Sequence, residues 1–306
     1  MKRVNLLAAL FATFATTAAM ATELKFASFV PPNHPMDRAV MTPMADAFNA
    51  ATGGETTIKV YPAGELGKGP KQQYKRIATG VAEIGFILPA FTEKLFPVLT
   101  SYETPGVYPD GESATKAMWG NIDEIKAEVK EGVPLAVWSN NPTILITKDK
   151  PVRSPADLAG MKIRIANSKT AKMIEAWGGV PVNMPPTEAY QALSTGTVDG
   201  IYIDPAAFRA YKLQEVTDYA TVNIPGSVSS FLIAINNDSY NALTDDEKQA
   251  LLDASGEALS LTASNAFKKA GEVGLELAVE GGVELVNLTD DEVAAFQALS
   301  PFGQTN

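Results

Sequence analysis

The sequence contains no cysteine and a single histidine, His34, among its 306 residues. Without cysteine the chain can form no disulfide, thiolate zinc site, iron–sulfur cluster or cysteine nucleophile. One histidine also excludes a metal site built from several imidazole ligands. What remains is carboxylates, amides, hydroxyls, aromatic rings and a few arginines, an inventory that favours reversible binding over catalysis. We therefore predict that the protein is not an enzyme and needs neither a metal nor a cofactor.

Positive charge is also scarce, because the chain has 25 Lys and Arg residues and 35 Asp and Glu residues, which gives a net charge of −10. Such a surface repels nucleic acids and anionic lipid headgroups. The G-x-x-x-x-G-K motif that cradles nucleotide phosphates is missing as well. The sequence thus predicts no nucleic-acid partner and no nucleotide chemistry.

Long apolar runs are confined to the N-terminus. Lys2 and Arg3 precede an apolar stretch at residues 6–19, and Ala19-Met20-Ala21 matches the small-residue pattern of a signal-peptidase site. The stretch is too short to span a bilayer comfortably, although an uncleaved anchor is the alternative. We predict a secretory signal peptide at residues 1–21, cleaved after Ala21, and a mature protein in the periplasm.

The rest of the chain alternates between strand-like and helix-like segments, which indicates an α/β protein whose parallel strands are linked by helices. The predicted strands lie at residues 24–29, 56–61, 83–88, 134–138, 143–147, 162–165, 180–183, 200–203 and 230–235. The predicted helices lie at residues 36–51, 74–79, 113–129, 172–177 and 187–193.

The last third of the chain is richer in helix signals. Two capping boxes begin at Thr244 and Thr289, and their acidic residues are better explained as helix caps than as metal ligands. The segment that follows Thr244 keeps a helical composition to about residue 280. If it is continuous, this helix is roughly 50 Å long, although glycines at positions 256, 271 and 274 can bend or break it. A helix of that length predicts an element that runs along two lobes.

Several segments of the chain resemble one family in order. Residues 157–164 read DLAGMKIR, residues 178–185 read GGVPVNMP, and residues 188–193 and 196–200 read EAYQAL and GTVDG. Upstream, residues 60–67 read VYPAGELG. This ordered set resembles the solute-binding proteins of tripartite ATP-independent periplasmic (TRAP) transporters, the DctP family, over nearly all of the mature chain.

The resemblance implies a two-lobed periplasmic binding protein fold, with a ligand cleft between the lobes and a long helix that spans both. We predict lobe I at residues 22–141 plus 230–269 and lobe II at residues 142–229 plus 270–306. By this resemblance the protein binds a small organic anion, a carboxylate, by cleft closure. It delivers this solute to the TRAP membrane permease subunits without an ATPase, and it acts as a monomer, as most relatives do.

Arg164 is the first candidate for ligand binding, because it ends a predicted strand, where open α/β sheets place their ligands. In the family this arginine pairs with the solute carboxylate, and a guanidinium offers a planar fork that fits one. Tyr202 and Asp204 are further candidates, although relatives often carry Asn or another polar residue nearby. Asp204 either accepts a hydrogen bond from the ligand or caps a helix that begins at Pro205.

Ligand pockets are mostly apolar, so aromatic residues at strand ends are candidates to line the cleft. The predicted set comprises Trp138, Phe86, Phe29 and Phe231, together with the polar residues Asn140 and Gln73. Each of them can instead belong to the core or to a solvated turn. His34 sits in a proline-rich loop, where it either shapes the cleft entrance, packs locally or senses pH.

Two other functions stay open at this stage. A periplasmic hydrolase is one of them, although no G-x-S-x-G nucleophile elbow is present. A ligand-sensing module for a signalling partner is the other, because a receptor of this kind can serve a sensor as well as a permease. Turnover of a bound solute distinguishes the first alternative from a transport receptor.

Overall fold

The computed structural model describes residues 22–303, and the predicted signal peptide lies outside the described residues. Two separate sheets organise the chain. The first sheet has five strands in the spatial order β2 (Thr56–Tyr61), β1 (Thr22–Ala27), β3 (Ile84–Ile87), β10 (Ser230–Asn236) and β4 (Gly132–Ser139). The second sheet has six strands in the order β11 (Glu284–Val286), β9 (Tyr219–Thr221), β5 (Ile144–Thr147), β8 (Gly200–Ile203), β6 (Lys162–Ile165) and β7 (Val180–Asn183).

The chain crosses between the sheets after β4 and returns before β10. Each of these two crossings delivers a strand that runs antiparallel to its neighbours, since β5 is antiparallel to β8 and β9, and β10 is antiparallel to β3 and β4. This corrects the prediction of parallel strands throughout. A strand that enters its sheet from the gap between the sheets starts at the edge where the parallel strands end, so it must run against them.

Twelve α-helices cover the sheets in the described part of the chain. They are α1 (Thr42–Ala51), α2 (Gln73–Ala78), α3 (Pro97–Ser101), α4 (Gly111–Gly120), α5 (Ile122–Glu128), α6 (Ser168–Ala176), α7 (Ala189–Ser194), α8 (Ala207–Tyr211), α9 (Asn237–Ala242), α10 (Asp245–Asp253), α11 (Gly256–Glu280) and α12 (Asp290–Ala298). A π-helical turn at Asp37–Met41 leads into α1. The predicted helix at 113–129 is in fact the pair α4 and α5, which Asn121 separates.

The long helical stretch after Thr244 is also two helices. The chain turns between α10 and α11, where Gly256 has a φ of +78° that favours glycine. The remaining helix α11 has 25 residues, which makes it about 37 Å long. It packs on β4 and α4 beside the first sheet and on α8 and β11 beside the second. The helix therefore spans both halves of the molecule, as predicted, although it is shorter than the sequence indicated.

Helix α11 continues through Gly271 and Gly274. These two glycines let other segments of the chain approach the helix closely. A Cβ atom at Gly274 would overlap the carbonyl oxygen of Pro205, and one at Gly271 would lie 2.7 Å from Nδ2 of Asn141. Asn141 also donates a hydrogen bond from Nδ2 to the carbonyl of Phe267 at 2.7 Å. The two glycines thus let one crossing segment and the start of α8 pack directly against the helix backbone.

Both capping boxes are present where the sequence predicts them. The Thr244 hydroxyl accepts from the Glu247 backbone N–H, and the Glu247 carboxylate accepts from the Thr244 N–H at 2.8 Å. Thr289 and Glu292 repeat the arrangement at the start of α12. Within residues 22–303 no helix is long and apolar enough to cross a membrane. No acidic or histidine cluster of that range is placed to hold a metal ion.

A polar clasp joins the two halves beside the strand β6. The buried carboxylate of Glu103 accepts from Nδ2 of Asn167 at 2.7 Å and from the Ser230 N–H at 2.9 Å. The neighbouring Ser168 donates its N–H and its hydroxyl to Glu93, while Lys169 donates to the Thr100 carbonyl. The segment that follows β6 is therefore bound to α3 and to the residues on either side of it.

We expect Gly274→Ala to lower the free energy of unfolding by about 1–3 kcal/mol, because the methyl group overlaps backbone that cannot move without shifting α8. Urea denaturation measures this change. Gly120→Ala is the matched control: Gly120 is also helical, and an added Cβ there meets nothing within 4 Å, so that variant should be neutral or slightly more stable. Equal effects of the two substitutions would contradict the proposed close contact.

The clasp also predicts a pH dependence. Burial raises the pKa of Glu103 to about 7, with Lys169 opposing the rise and Glu93 adding to it. The unfolded chain gives up this proton at a lower pH, so the contribution to stability is full below about pH 4.5 and is lost as the pH rises through about 7. The unfolding free energy of the wild type should thus fall more steeply than that of Glu103→Gln between about pH 5 and 8, by roughly 1–3 kcal/mol.

Urea denaturation at a series of pH values tests this expectation. Glu272→Gln, which changes an exposed glutamate on α11, should keep the wild-type slope. Asp204, whose pKa burial also raises to about 7, is present in all three proteins and cancels in the comparison. Parallel slopes for the wild type and Glu103→Gln would show that Glu103 does not carry the effect.

Candidate functional site

A cavity lies between the two sheets, with about 540 Å³ of empty space that is partly open to solvent. It opens where the parallel strands of both sheets end. Of the nine residues predicted to bind ligand, six line it: Phe29, Phe86, Phe231, Asn140, Arg164 and Asp204. The residues that line it without having been predicted as ligand contacts include His34, Pro186, Ile203, Tyr211, Ser229 and Phe267.

An aromatic wall forms the side of the cavity that belongs to the first sheet. Phe86 on β3 stacks on Phe29 with ring centroids 5.2 Å apart, and it stacks on Phe231 of β10 at 5.6 Å. Phe231 in turn stacks on Phe267 of α11 at 5.0 Å. The rings form a continuous apolar cluster with nearly parallel planes, since the interplanar angle between Phe86 and each of its two neighbours is 10° or less.

Arg164 supplies the positive charge of the opposite side. On β6 the side chains alternate, so that Ile163 and Ile165 enter the core of the second sheet and Arg164 faces the cavity. Its Nε donates to the Met184 carbonyl at 2.9 Å. Among the described residues, the guanidinium makes no other hydrogen bond and no ion pair.

The charge on Arg164 persists despite its burial. Only 2% of the residue is exposed, and desolvation lowers the pKa of the guanidinium to about 10. Tyr211 and Glu188 act against this decrease. The group is therefore protonated at neutral pH. A buried cation without an ionic partner is costly unless an anion reaches it, so this side of the cavity is suited to a carboxylate.

Asp204 lies at the cavity, but both oxygens of its carboxylate accept hydrogen bonds from backbone N–H groups. One oxygen accepts from the Ala206 N–H at 2.6 Å and the other from the Asn141 N–H at 2.9 Å. The carboxylate thus holds the turn that leads into α8 and ties it to the first crossing segment. Of the two roles that the sequence left open, this geometry favours the structural one.

Asn140 holds the two crossing segments together at the edge of the cavity. Its Oδ1 accepts from the Ser229 N–H at 2.6 Å, and its own N–H donates to the Ser229 carbonyl at 3.3 Å. Thr143 and Ser227 are joined in the same way. The polar candidate Asn140 therefore both borders the cavity and braces the connection between the sheets.

Three predicted ligand contacts lie outside this cavity. Tyr202 precedes Ile203 on β8, so it points to the other face, where its hydroxyl donates to the Pro225 carbonyl. Trp138 shares the face of the aromatic wall and stacks on Phe86 and Phe231, but it does not line the cavity. Gln73 belongs to α2, which packs on the opposite face of the first sheet, and its side chain donates to the Gly69 carbonyl.

Sequence reasoning did not select His34, Tyr211 and Phe267 as ligand contacts. Of these three, only His34 stands out in the sequence, because it is the single histidine and lies in a loop shortly after the first strand. Tyr211 ends the short helix α8, and Phe267 lies in the middle of α11. Their positions at the cavity depend on how those helices pack, which no local pattern records.

Comparison with known proteins places this geometry among binding proteins. The chain is 28% identical to the C4-dicarboxylate-binding periplasmic protein DctP of Rhodobacter capsulatus, over 90% of this chain and 83% of that protein. A TRAP solute-binding protein from a marine metagenome, specific for aromatic acids and crystallised with 3-hydroxybenzoate, superposes with a TM-score of 0.87 at 29% identity, covering 92% of this chain and 89% of that one.

A TRAP solute-binding protein of Rhodoferax ferrireducens with copurified benzoate superposes with a TM-score of 0.86 at 27% identity, covering 92% of this chain and 88% of that one. The family model of the bacterial extracellular solute-binding proteins, family 7, matches residues 26–301. With a two-lobed fold, a cleft between the sheets and a buried arginine in it, the chain belongs to this DctP family of solute receptors, which bind small organic acids for TRAP transporters.

Proposed function

We propose that the solute of this receptor is a small aromatic monocarboxylate. The observation that carries the proposal is a single buried guanidinium across the cavity from a stacked aromatic wall. The fork of Arg164 meets a carboxylate through two parallel hydrogen bonds. A planar ring then has the rings of Phe86 and Phe231 to pack on, an arrangement that adds about 0.5–1.5 kcal/mol beyond area burial.

A dicarboxylate fits this cavity less well. Among the described residues that line it, Arg164 is the only Lys or Arg and Asp204 is the only carboxylate, which is negative when ionised. A second carboxylate on the ligand would therefore be buried without a cation, which is costly. The benzoate and 3-hydroxybenzoate found in the two similar structures support the aromatic choice.

Delivery without chemical change is part of the proposal. The cavity offers a hydroxyl from Ser229 and an imidazole from His34, but no hydrogen bond joins them within the described residues. The Asp204 carboxylate is engaged by two backbone N–H groups. This lack of a nucleophile–base pair supports a receptor that releases its solute unaltered rather than a hydrolase.

The lobe boundaries predicted above also become part of this proposal, with lobe I at residues 22–141 plus 230–269 and lobe II at residues 142–229 plus 270–306. The crossing segments near Asn140 and Ser229 serve as the hinge. We propose further that the chain is exported with cleavage after Ala21, acts as a monomer in the periplasm and passes its solute to the permease subunits.

A thermal-shift screen tests the solute class. We expect benzoate and 3-hydroxybenzoate to raise the melting temperature, because a ligand at a hundredfold excess over its dissociation constant stabilises by about 2.7 kcal/mol. Succinate, as a C4-dicarboxylate without a ring, and benzamide, as a ring without a charge, are the matched controls and should leave it unchanged. A shift with succinate but not with benzoate would contradict the proposal.

Removal of the cation is the second test. We expect Arg164→Ala to weaken benzoate binding by at least about tenfold in titration calorimetry, since a buried charged hydrogen bond is lost. Arg209→Ala removes the same charge from an exposed position on α8 and should leave the affinity nearly unchanged. Unaltered affinity in Arg164→Ala, with circular dichroism like that of the wild type, would refute the role of Arg164.

A further inference from the structure

Two further polar side chains face the cavity from opposite sides, and one of them, Tyr211, is near enough to Arg164 to act on its pKa. His34 follows β1 in the first half of the molecule, and Tyr211 ends α8 in the second half. Their ring centroids are 6.0 Å apart, and the His34 ring also lies edge-on to Phe267 at 6.1 Å. Both residues line the cavity, and His34 is only 6% exposed.

The hydrogen bonding of His34 determines which nitrogen carries its proton. Nδ1 accepts from the Met36 backbone N–H at 3.2 Å, which assigns the proton of the neutral ring to Nε2. Burial lowers the pKa of His34 to about 3, so the ring stays neutral at physiological pH. Within residues 22–303 nothing accepts a hydrogen bond from Nε2. His34 thus presents a neutral N–H donor to the cavity.

Tyr211 complements this donor. Its hydroxyl makes no hydrogen bond to any residue that the structure describes, and burial raises its pKa above the ordinary value. The group therefore remains a hydroxyl, which can both donate and accept. A ligand that fills the space beside these two groups without pairing them takes them from water and therefore binds more weakly than one that pairs them.

We infer that His34 and Tyr211 form a polar subsite that selects aromatic acids with a ring hydroxyl. The inference rests on the proposed function, in which Arg164 holds the carboxylate and the aromatic wall holds the ring. A ring hydroxyl accepts from Nε2 of His34 and exchanges a hydrogen bond with the Tyr211 hydroxyl. Because the two residues come from opposite sides of the cleft, this hydroxyl also bridges them when the ligand is enclosed.

Titration calorimetry with size-matched ligands tests the subsite. The probes are benzoate, 3- and 4-hydroxybenzoate, and 3- and 4-methylbenzoate, in which a methyl group of similar volume replaces the hydroxyl. We expect the wild type to bind one hydroxybenzoate at least about tenfold more tightly than the methyl isomer, since a site built for a hydroxyl rejects analogues that lack it. Tyr211→Phe and His34→Phe should each reduce that ratio to about threefold or less.

Benzoate separates this subsite from the carboxylate site. Its affinity should change less than about threefold in both variants, whereas an equal loss for benzoate and hydroxybenzoate would mean that His34 and Tyr211 hold the carboxylate instead and would overturn the inference. Tyr240→Phe, a tyrosine on α9 away from the cavity, is the matched control and should keep the wild-type ratio.

The remaining outcomes are also decisive. Benzoate binding without any hydroxyl preference in the wild type overturns the subsite and leaves the proposed function standing. Failure of every one of these acids to bind overturns the proposed function and the subsite with it. If His34→Phe fails to fold by circular dichroism, the ratio in Tyr211→Phe decides, because that variant deletes one oxygen atom and no packing.

Discussion

A guanidinium buried without an acidic neighbour is the constraint on which the rest of this structure depends. Arg164 is held by one carbonyl, that of Met184, and keeps its charge although it is almost fully removed from solvent. In surroundings of low polarity such a charge acts strongly on whatever enters the cavity. The protein as a whole is acidic, so the attraction that captures an anion must be local to this cleft.

Hydrogen bonds and close backbone contacts join the elements around Arg164. Several of these contacts lie at the cavity and also connect the two halves of the molecule. Asp204 joins the start of α8 to the first crossing segment. Asn140 joins that segment to the second one. The glycines of α11 admit Asn141 and Pro205 to the helix surface. Movement of one half against the other must therefore alter the shape of the cavity.

The sequence could predict which residues lie at the cavity where a side chain's direction follows from its own strand. Arg164 lies one residue before the end of β6, and Phe86 and Phe231 stand on strands whose alternation points them to the cleft. The same alternation turns Tyr202 away from the cavity, because it is adjacent to Ile203 on the strand and points to the opposite face. Trp138 is on the same face of the sheet as Phe86 and Phe231 and packs on both rings, but it does not line the cavity.

The sequence by itself determined the family, the capping boxes of the C-terminal third and the strand that presents Arg164, because each depends on residues close together in the chain. The tertiary structure alone decided that β5 and β10 run antiparallel, and that Gly271 and Gly274 admit Asn141 and Pro205 to the helix. It also decided that His34, Tyr211 and Phe267 meet at one cavity. These features depend on contacts between segments far apart in sequence, and side-chain alternation and helix caps record only local neighbours.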